Sequence, residues 1–548
     1  MRGIRNLRPH AEDIWRAGVA AVDSDRLVTN VVRRRGEVLD VCGHELPLAG
    51  LGRIAVVGAG KAGAGMAAAF ERAVGEDVLE ERVCGWVNVP ADCVRPLRKV
   101  QLHAARPAGV NEPTADGVAG ALEILALVSG LERCDVCIVL LSGGGSALLP
   151  APVDGISLDD KQAVTRFLMQ TGATIGELNC VRKQLSRIKG GGLARAARAG
   201  RIVTLIISDV IGDPLDVIAS GPTVADASTA REALAVLEKH DRREDNVPAA
   251  VWSYLRAAAA RDEPPRRVPE NVSNHVIGNN ACALEAAAAR AKQLGYRVHS
   301  LGSGNAGEAA EAGRELAELC RSIRDDGRPL APPACVLSGG EPVVHLAAAG
   351  PSPIEGGVPP VEAFAAFLSK RGKRLTTERR IVADEVFCGR GRFDREQIVE
   401  RLSERRQARR VSRATVYRAL SDLEQAGLIR SVSLDDGRAT YQCVSESTRC
   451  KGGRNQELVL AAVVRLWDDG LDRMAILSGG TDGEDGPTDA AGAVADADVL
   501  RKARALGLDA AEFLASHNSY PFFDATGGLL RTGPTHTNVM DLRVGLIG

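Results

Sequence analysis

The sequence lacks long hydrophobic segments. No apolar run approaches the ~20 residues that a membrane-spanning helix needs, and the start, MRGIRNLRPHAEDIW, has no hydrophobic stretch of the signal-peptide kind. We therefore expect neither a membrane span nor secretion. Aromatic residues are also scarce, at 3%, whereas 59 glycines cluster in short loops after apolar runs. This distribution favours an α/β fold with ligand-binding turns over a low-complexity chain.

The 12 cysteines show no pairing pattern. The one Cys-x-x-Cys, from Cys134 to Cys137, falls in the apolar run CDVCIVLL, which predicts a buried strand. Residues three apart on a strand point to opposite faces, so a redox or zinc site is disfavoured there. Scattered free thiols are typical of a reducing cytoplasm, which is the predicted location.

The chain carries almost no net charge, −1 in total, which argues against nucleic-acid binding over its whole surface. The average hides an asymmetry, however. Residues 351–449 contain 19 Lys and Arg against 14 Asp and Glu, so the rest of the chain is acidic. A basic segment therefore lies within an acidic chain.

At ~100–200 residues per domain, a chain of 548 residues is expected to hold several domains. From about residue 10 to 348, short apolar runs alternate with alanine- and leucine-rich stretches, as in RIAVVGAG followed by AGAGMAAAFERAV. This alternation predicts a parallel sheet with helices on both faces. Ligands of such sheets bind at the carboxyl ends of the strands.

The pattern breaks at AAAGPSPIEGGVPPVEAF and resumes at CKGGRNQELVLAAVV. The prolines and glycines in between indicate a linker over 351–361, followed by an inserted domain over 362–445. We assign an N-terminal Rossmann-like domain to 1–245 and a discontinuous C-terminal α/β domain to 270–349 plus 450–548. The predicted fold class is α/β, with parallel or mixed sheets and an insertion at a loop tip.

The loop VGAGKAGAG contains Gly58, Gly60 and Gly63 in the Gly-x-Gly-x-x-Gly spacing of dinucleotide-binding folds. Those folds carry an acidic residue at the end of the next strand, but that strand, CGWVNVP, ends without one. Lys61 instead stands where the start of a helix would hold an anion. Anion or substrate binding is favoured, with dinucleotide binding as the alternative.

The run LLSGGGSALLP takes a buried strand into a loop of serines and glycines. Such a loop allows backbone N–H groups to approach phosphate oxygens closely, with serine hydroxyls as further donors. The alternative is a tight strand-to-helix turn without a ligand. However, VLSGGEPVV and ILSGGTDGEDG repeat the pattern of a strand followed by a glycine loop, which weakens this alternative. The predicted nucleotide-binding residues are Ser142, Gly143, Gly144, Gly145 and Ser146.

Aspartates follow other predicted strand ends: Asp209 in IISDVIGD, and Asp482, Asp485 and Asp489 in GGTDGEDGPTDAAG. Carboxylates among glycines suit Mg²⁺, which prefers few carboxylates plus phosphate oxygens, or a general base. The alternative for each aspartate is that it is a solvated turn residue without a role in the site. Arg454 in CKGGRNQE offers a fork-shaped guanidinium for a carboxylate or phosphate.

The segments VGAGKA, LSGGGSALLP, SDVIGDPLDVIASGPT, KGGRNQE, GGTDGEDGPTDAAGA and GPTHTNVMDL together resemble the glycerate 2-kinase family with its MOFRL C-terminal domain, over residues 10–348 and 450–548. The resemblance implies ATP-dependent phosphorylation of D-glycerate to 2-phosphoglycerate, with Mg²⁺. It also implies that Lys61 and Arg454 are a catalytic pair that holds the glycerate carboxylate and transfers the phosphate.

By the same resemblance, the Ser142–Ser146 loop holds the nucleotide phosphates. Asp209 and an aspartate of the later loop bind metal or act as base, and which does which stays open. The working assignment makes Asp209 and Asp485 catalytic and gives the metal to Asp209, Asp482 and Asp489.

The inserted segment is predicted to form helices followed by a β-hairpin, the order of a winged helix-turn-helix. In VSRATVYRALSDLEQAGLIR, Ser412 is the expected N-cap, and Val416, Leu420 and Leu423 form the buried stripe. This run resembles the DNA-binding half of the ferric uptake regulator family. The segment contains no histidine, so that family's metal sensing is not expected. Candidate DNA contacts are Arg413, Thr415, Tyr417 and Arg418.

Alternative functions stay open at this point. A glycerate-responsive DNA-binding regulator could be built on a kinase scaffold, or the kinase could act on another hydroxy acid. Lys61, Arg454 and the acidic loops favour the kinase, because a pure sensor needs neither a base nor a metal site. The expected partners are D-glycerate and ATP, with DNA as a candidate through the insert. A homodimer would supply a second head to contact a second DNA half-site, whereas a single head contacts only one.

Overall fold

The computed structural model describes residues 7–110, 112–261, 264–344, 360–371, 373–388, 392–404, 411–426, 428–433, 439–443 and 451–548. The chain divides into a host unit, Met1–Val344 with Gly452–Gly548, and an inserted unit, His345–Lys451. The predicted linker at 351–361 lies outside the described residues up to 359, and Pro360 begins a helix.

In chain order, the helices are α1 (Leu7–Ala21), α2 (Ser24–Val31), α3 (Gly63–Ala73), α4 (Glu76–Arg82), α5 (Ala115–Ser129), α6 (Gly145–Leu148), α7 (Leu158–Gln170), α8 (Ile175–Gln184), α9 (Gly192–Ala196), α10 (Ala230–His240), α11 (Ala249–Ala260), α12 (Asn280–Gln293), α13 (Ala309–Asp326), α14 (Pro360–Lys370), α15 (Thr377–Cys388), α16 (Arg395–Glu404), α17 (Arg413–Gln425), α18 (Arg454–Arg465), α19 (Ala497–Ala505), α20 (Ala510–Ala515) and α21 (Ser519–Thr526). Short 3₁₀ turns cover Ala91–Cys93 and Ile218–Ser220.

The strands are β1 (Val32–Arg35), β2 (Val38–Val41), β3 (His44–Pro47), β4 (Ile54–Ala59), β5 (Val83–Pro90), β6 (Val100–Arg106), β7 (Val136–Leu141), β8 (Arg201–Ile207), β9 (Val272–Gly278), β10 (Arg297–Ser300), β11 (Ala334–Gly340), β12 (Arg392–Asp394), β13 (Ile429–Ser433), β14 (Ala439–Cys443), β15 (Met474–Gly480), β16 (Gly492–Asp496), β17 (Leu529–Leu530) and β18 (Asp541–Ile547). Strands β1, β2 and β3 form a small antiparallel meander.

The first large sheet of the host unit has the strand order β6-β5-β4-β7-β8-β9, and each neighbouring pair is parallel. Strands β4 and β7 are buried along their whole length, as expected of central strands covered on both faces. The predicted parallel sheet is confirmed. Because β4, β7 and β8 are neighbours, the loops that follow them leave the sheet side by side.

The second large sheet is mixed, in the order β10-β11-β18-β15-β16-β17. Strand β18 runs antiparallel between β11 and β15, and Asp541 at its start pairs with Gly340 and Gly480 at the ends of its neighbours. This register places the start of β18 beside the loops that follow β11 and β15. The sequence pattern does not reveal this register, because it depends on which strand pairs with which.

Two elements differ from the predicted domain limits. Strand β9 pairs with β8 at the edge of the first sheet, although its residues were assigned to the C-terminal domain. Helix α1 packs on the second sheet, where Trp15 Nε1 donates a hydrogen bond to the Gly479 carbonyl at 3.2 Å. Both differences come from contacts between residues far apart in the chain.

The inserted unit contains helices α14 to α17 and an antiparallel sheet of order β12-β14-β13, whose strand β12 lies between α15 and α16 in the chain. Ser412 caps α17 as predicted, since its Oγ accepts the Thr415 N–H at 3.2 Å. The predicted stripe of Val416, Leu420 and Leu423 is buried. Helix α14 and strand β12 were not anticipated, and the segment 434–438 that joins the two strands of the predicted hairpin lies outside the described residues. No helix within the described ranges is long and apolar enough to span a membrane.

Candidate active site

The glycines of VGAGKAGAG allow close packing between strands. A Cβ on Gly58 would lie 1.9 Å from the Leu140 carbonyl oxygen, and one on Gly60 would lie 2.0 Å from Ser142 Oγ. A Cβ on Gly63 would lie 2.9 Å from the Val87 side chain. The spacing that resembles a dinucleotide fingerprint therefore has a packing cause here, which weakens the dinucleotide alternative.

The loops after β4 and β7 are tied to each other. The backbone N–H of Lys61 donates to the Gly143 carbonyl at 2.9 Å, and that of Ser142 donates to the Ala59 carbonyl at 3.1 Å. Ser142 Oγ accepts the Ala62 N–H at 3.0 Å, and the residue is 2% exposed. Ser142 therefore fastens the loops together rather than facing a ligand directly.

Lys61 reaches the loop that follows β15 in the second sheet. Its Nζ lies 3.0 Å from Asp482 Oδ2 and 2.8 Å from Glu484 Oε2. Burial alone would lower the pKa of Lys61, but the adjacent carboxylates outweigh burial and raise it. The lysine is therefore a fixed positive charge. The structure brings the predicted Lys61 and Asp482 together and adds Glu484.

Asp209 lies against the glycine loop. A Cβ on Gly143 would lie 2.4 Å from Asp209 Oδ2, so only glycine allows this approach. Asn538 Nδ2 donates to the same oxygen at 3.3 Å. Burial, reinforced by the negative charge of Glu341, raises the pKa of Asp209 to about 6. A carboxylate with a raised pKa beside a glycine loop suits proton transfer or cation binding.

Arg454, at the start of α18, is held by carboxylates. Its Nε and Nη2 donate to Asp541 Oδ2 and Oδ1 at 2.7 and 3.0 Å, and its Nη1 donates to Glu341 Oε1 at 2.9 Å. Asp541 is completely buried, whereas the Arg454 side chain is 34% exposed. The sequence did not identify Asp541 or Glu341 as partners, although Asp541 stands in the segment GPTHTNVMDL that carried the resemblance.

Asp485 caps helix α18. Its Oδ1 accepts the Asn455 N–H at 3.0 Å, and its Oδ2 accepts the Gln456 N–H at 2.8 Å. Burial raises the pKa of Asp485 to about 7, although these backbone amides oppose the rise. The residue is 2% exposed. Both carboxylate oxygens of Asp485 accept backbone N–H groups at the start of α18, the helix that carries Arg454. This position favours a structural role for Asp485 over the predicted catalytic role.

Asp489 does not join the other predicted metal ligands. Its exposed carboxylate accepts hydrogen bonds from Tyr520 Oη at 2.7 Å and Arg531 Nε at 3.1 Å. The hydrogen bond from Tyr520 lowers its pKa. Within the described ranges, no group of three or more His, Cys, Asp or Glu residues is arranged to hold a metal. The structure thus places Asp489 with Tyr520 and Arg531, and the assignment of the metal to Asp209, Asp482 and Asp489 stays a prediction.

We expect Asp485→Asn to destabilise the host unit by about 2–3 kcal/mol, because an amide can accept only one of the helix N–H groups and turns its own NH₂ toward the other. Asp489→Asn is the matched control in the same loop, and we expect a change of about 1 kcal/mol or less, since its carboxylate is exposed. Urea unfolding of both variants measures the difference. Equal losses of stability would contradict the capping role.

A group of residues beside Ser146 was not anticipated. Ser146 Oγ accepts hydrogen bonds from Arg182 Nη2 at 2.7 Å and from Lys189 Nζ at 2.8 Å, and it lies 3.1 Å from Ser220 Oγ. The run RIKGGGLA, which contains Lys189, has the glycine-loop signal that could have drawn attention to it. The predicted loop residue Ser146 is therefore surrounded by cations.

On α17, the predicted DNA-contacting residues differ in their surroundings. Arg413 and Arg418 are exposed, and Arg418 Nε donates to the Ala414 carbonyl at 3.1 Å. Thr415 Oγ1 lies 2.9 Å from the capping Ser412 Oγ, and Tyr417 packs partly against the core of the inserted unit. The arginines are thus the best placed of the four to meet a partner.

Three family models match parts of the chain, and two of the matched ranges overlap at residues 437–451. A domain of unknown function matches residues 10–256, the MOFRL family matches 437–541, and the ferric uptake regulator family matches 370–451. The last match covers helices α15 to α17 and strands β12 to β14 of the inserted unit and begins at the last residue of α14. It supports the resemblance stated for that segment.

The glycine loop, the paired Lys61 and the carboxylates at the strand ends lie in an α/β host unit, and the similar proteins identify the chain as an enzyme of the kinase class. The chain is 36% identical to a glycerate kinase of Danio rerio over 99% of its own length and 98% of the relative's. It is 30% identical to a D-glycerate 2-kinase of Thermotoga maritima over 99% of each chain. The chain therefore belongs to the glycerate kinase family. The crystal structure of a glycerate kinase from Thermotoga maritima superimposes with a TM-score of 0.69 at 30% identity, over 98% of this chain and 99% of that one.

Proposed function

We propose that the protein is a glycerate 2-kinase, which transfers the terminal phosphoryl group of ATP to the 2-hydroxyl of D-glycerate. The ion pairs of Lys61 with Asp482 and Glu484 carry this proposal, because they join the glycine loop of the first sheet to the acidic loop of the second. Such a site places a glycine loop, of the kind that binds nucleotide phosphates, beside side chains that can bind a small carboxylic acid. The curated relatives are named for the same substrate.

In this proposal, Asp209 accepts the proton of the 2-hydroxyl, since its raised pKa is suited to a general base. Lys61 stabilises the negative charge that develops on the phosphoryl oxygens. Arg454 orients the glycerate carboxylate with the N–H groups that its own carboxylate partners leave available. Phosphoryl transfer needs mainly this positioning and charge stabilisation.

Residues at the site fit a divalent cation. Asp209 and Glu341 both have raised pKa values, caused first by burial, and Asp209 also feels the charges of Glu341 and Asp482. This excess of negative charge suits Mg²⁺, which Asp209 and Asp482 would hold. When bound, the cation would neutralise charge on the phosphate oxygens. We also propose a cytoplasmic location, since the described cysteines are free thiols.

The direct test is ATP-dependent phosphorylation of D-glycerate by the purified full-length chain. Phosphorus NMR of the product distinguishes 2-phosphoglycerate, which we expect, from 3-phosphoglycerate. L-Glycerate and tartronate serve as competing substrates and test the alternative of another hydroxy acid. Absence of turnover with D-glycerate and ATP would refute the proposal.

A second function rests on the inserted unit, for which we propose a winged-helix fold that binds DNA weakly. The match to the ferric uptake regulator family and the exposed Arg413 and Arg418 support it. A single head contacts one half-site, so appreciable affinity would need a homodimer. An electrophoretic mobility shift that disappears in the Arg413→Ala/Arg418→Ala variant and weakens with salt is the expected result. Without a shift by the intact chain, this second function is dismissed.

We predict that replacement of residues 351–449 by a short Gly/Ser linker leaves kcat/KM for D-glycerate and the thermal unfolding of the host unit unchanged. The reason is that the chain leaves the host unit near Val344 and returns near Gly452, and the inserted unit has its own buried core. Steady-state kinetics and calorimetry of the shortened chain check this. An insoluble or inactive product would mean that the host unit depends on the insert.

A further inference from the structure

A group of buried cations lies beside Ser146 and has no part in the chemistry proposed above. Lys189 is 2% exposed, and its Nζ donates to the carbonyl and the hydroxyl of Ser146 at 2.7 and 2.8 Å. Arg182 donates to the same hydroxyl at 2.7 Å. Lys161 is 8% exposed, and its Nζ donates to the Leu185 carbonyl at 3.0 Å. Three basic side chains therefore share one buried region of the described structure.

Among the residues that the structure describes, these basic side chains have no acidic partner. Within the described ranges, no carboxylate lies within 4.0 Å of Lys161, Arg182 or Lys189, whereas the adjacent Lys183 pairs with Asp216 at 3.3 Å. Burial, followed by repulsion from Arg182, lowers the pKa of Lys161 to about 7 and that of Lys189 well below its ordinary range. Buried positive charge without a counter-charge is unfavourable, so this region gains stability from an anion.

The backbone holds the group in place. The N–H groups of Gly190 and Gly191 donate to the carbonyls of Ser220 and Gly221 at 3.0 and 2.7 Å. Ser220 has a φ of +61°, a conformation that non-glycine residues rarely adopt, and its hydroxyl lies 3.1 Å from Ser146 Oγ. Strained backbone held by its surroundings is common where residues must be fixed for function.

We propose that Arg182 and Lys189, together with Ser146, bind a phosphate group of the nucleoside triphosphate. The assignment rests on the proposed kinase function and adds residues to its nucleotide site. Lys61 and Arg454 are each paired with two carboxylates, whereas no described carboxylate compensates Arg182 and Lys189, which leaves an excess of basic groups there. A triphosphate carries more negative charge and more acceptor oxygens than the single carboxylate of glycerate, and it matches this excess better.

The test is calorimetric titration of the full-length chain with ATP, adenosine and D-glycerate separately. We expect Lys189→Met and Arg182→Gln each to weaken ATP binding about 10- to 100-fold, as expected for a lost charged hydrogen bond, with adenosine and glycerate binding unchanged. Arg187→Gln, an exposed residue of the same segment, is the matched control and should change none of them. The wild-type chain should also take up a proton when ATP binds, because phosphate restores the charge on Lys189, which contacts Ser146 and is near Arg182 and Lys161. Lys189→Met should take up less.

Unchanged ATP affinity in both variants overturns the assignment, and so does a selective loss of glycerate affinity, which would give these cations to the substrate carboxylate. ATP binding with the expected losses, but without phosphorylation of D-glycerate, would support the assignment and refute the proposed function. If Lys189→Met does not fold, Lys189→Arg and Arg182→Lys serve in its place. A raised KM for ATP with an unchanged KM for glycerate then supports the assignment, and unchanged values for both overturn it.

Discussion

Lys61→Met is expected to lower the turnover of D-glycerate by about 10³-fold, because loss of one preorganised charge at a transition state typically costs 10²–10³ in rate. In the structure the lysine is fixed by Asp482 and Glu484 and has a raised pKa, so it is charged throughout the working range. In Lys61→Met, Asp482 and Glu484 lose their cation. The phosphoryl oxygens also lose the ammonium group that stabilises their charge. Steady-state kinetics with saturating ATP measure the loss.

The loss should not come from unfolding. The Lys61 side chain is 29% exposed, and partly exposed ion pairs contribute about 1 kcal/mol or less to stability. Lys99→Met is the matched control, since Lys99 also pairs with a glutamate, at 2.7 Å, but precedes β6 at the opposite end of the sheet. We expect this control to keep full turnover. Retention of more than a tenth of the activity by Lys61→Met would contradict the role of Lys61.

Much of the host fold could be predicted because its signals are local. A buried strand such as β4 or β7 is a continuous apolar run, and the glycine loop after it marks the carboxyl end of the strand. Lys61, Asp209 and Arg454 were found in the same way, from their places beside such loops. The sheet order then brought the loops after β4, β7 and β8 together, as the parallel-sheet interpretation requires.

The partners of these residues could not be predicted, because each comes from a distant part of the chain. Asp541 faces Arg454 only because β18 runs between β11 and β15. Lys189 contacts Ser146 although helices α7 and α8 separate the two residues in the sequence. The surroundings of Asp489 could not be predicted for the same reason. Asp489 follows Asp482 by only a few residues, but its carboxylate accepts hydrogen bonds from Tyr520 and Arg531, which lie much later in the chain.

Arg454→Met is expected to abolish turnover and to destabilise the host unit by about 3–5 kcal/mol, the usual cost of removing one partner of a buried ion pair. The reason is Asp541, which is completely buried and loses the hydrogen bonds at 2.7 and 3.0 Å that Arg454 donates. Asn455 Nδ2, at 3.0 Å, would remain as a donor to its Oδ1 but cannot neutralise the charge. Urea unfolding and glycerate kinetics give the two effects separately.

The double variant Arg454→Met/Asp541→Asn separates stability from catalysis. Neutralising the buried carboxylate removes the unpaired charge, so we expect the double variant to regain at least about 2 kcal/mol of the lost stability. Turnover should stay absent, because no guanidinium is left to orient the glycerate carboxylate. If the double variant regained turnover together with stability, Arg454 would only hold β18 and α18 in place, and the substrate carboxylate would have to bind elsewhere. If instead the KM for glycerate rises in any variant with residual activity while the KM for ATP does not, Arg454 belongs to the acceptor side of the site, opposite the cations at Arg182 and Lys189.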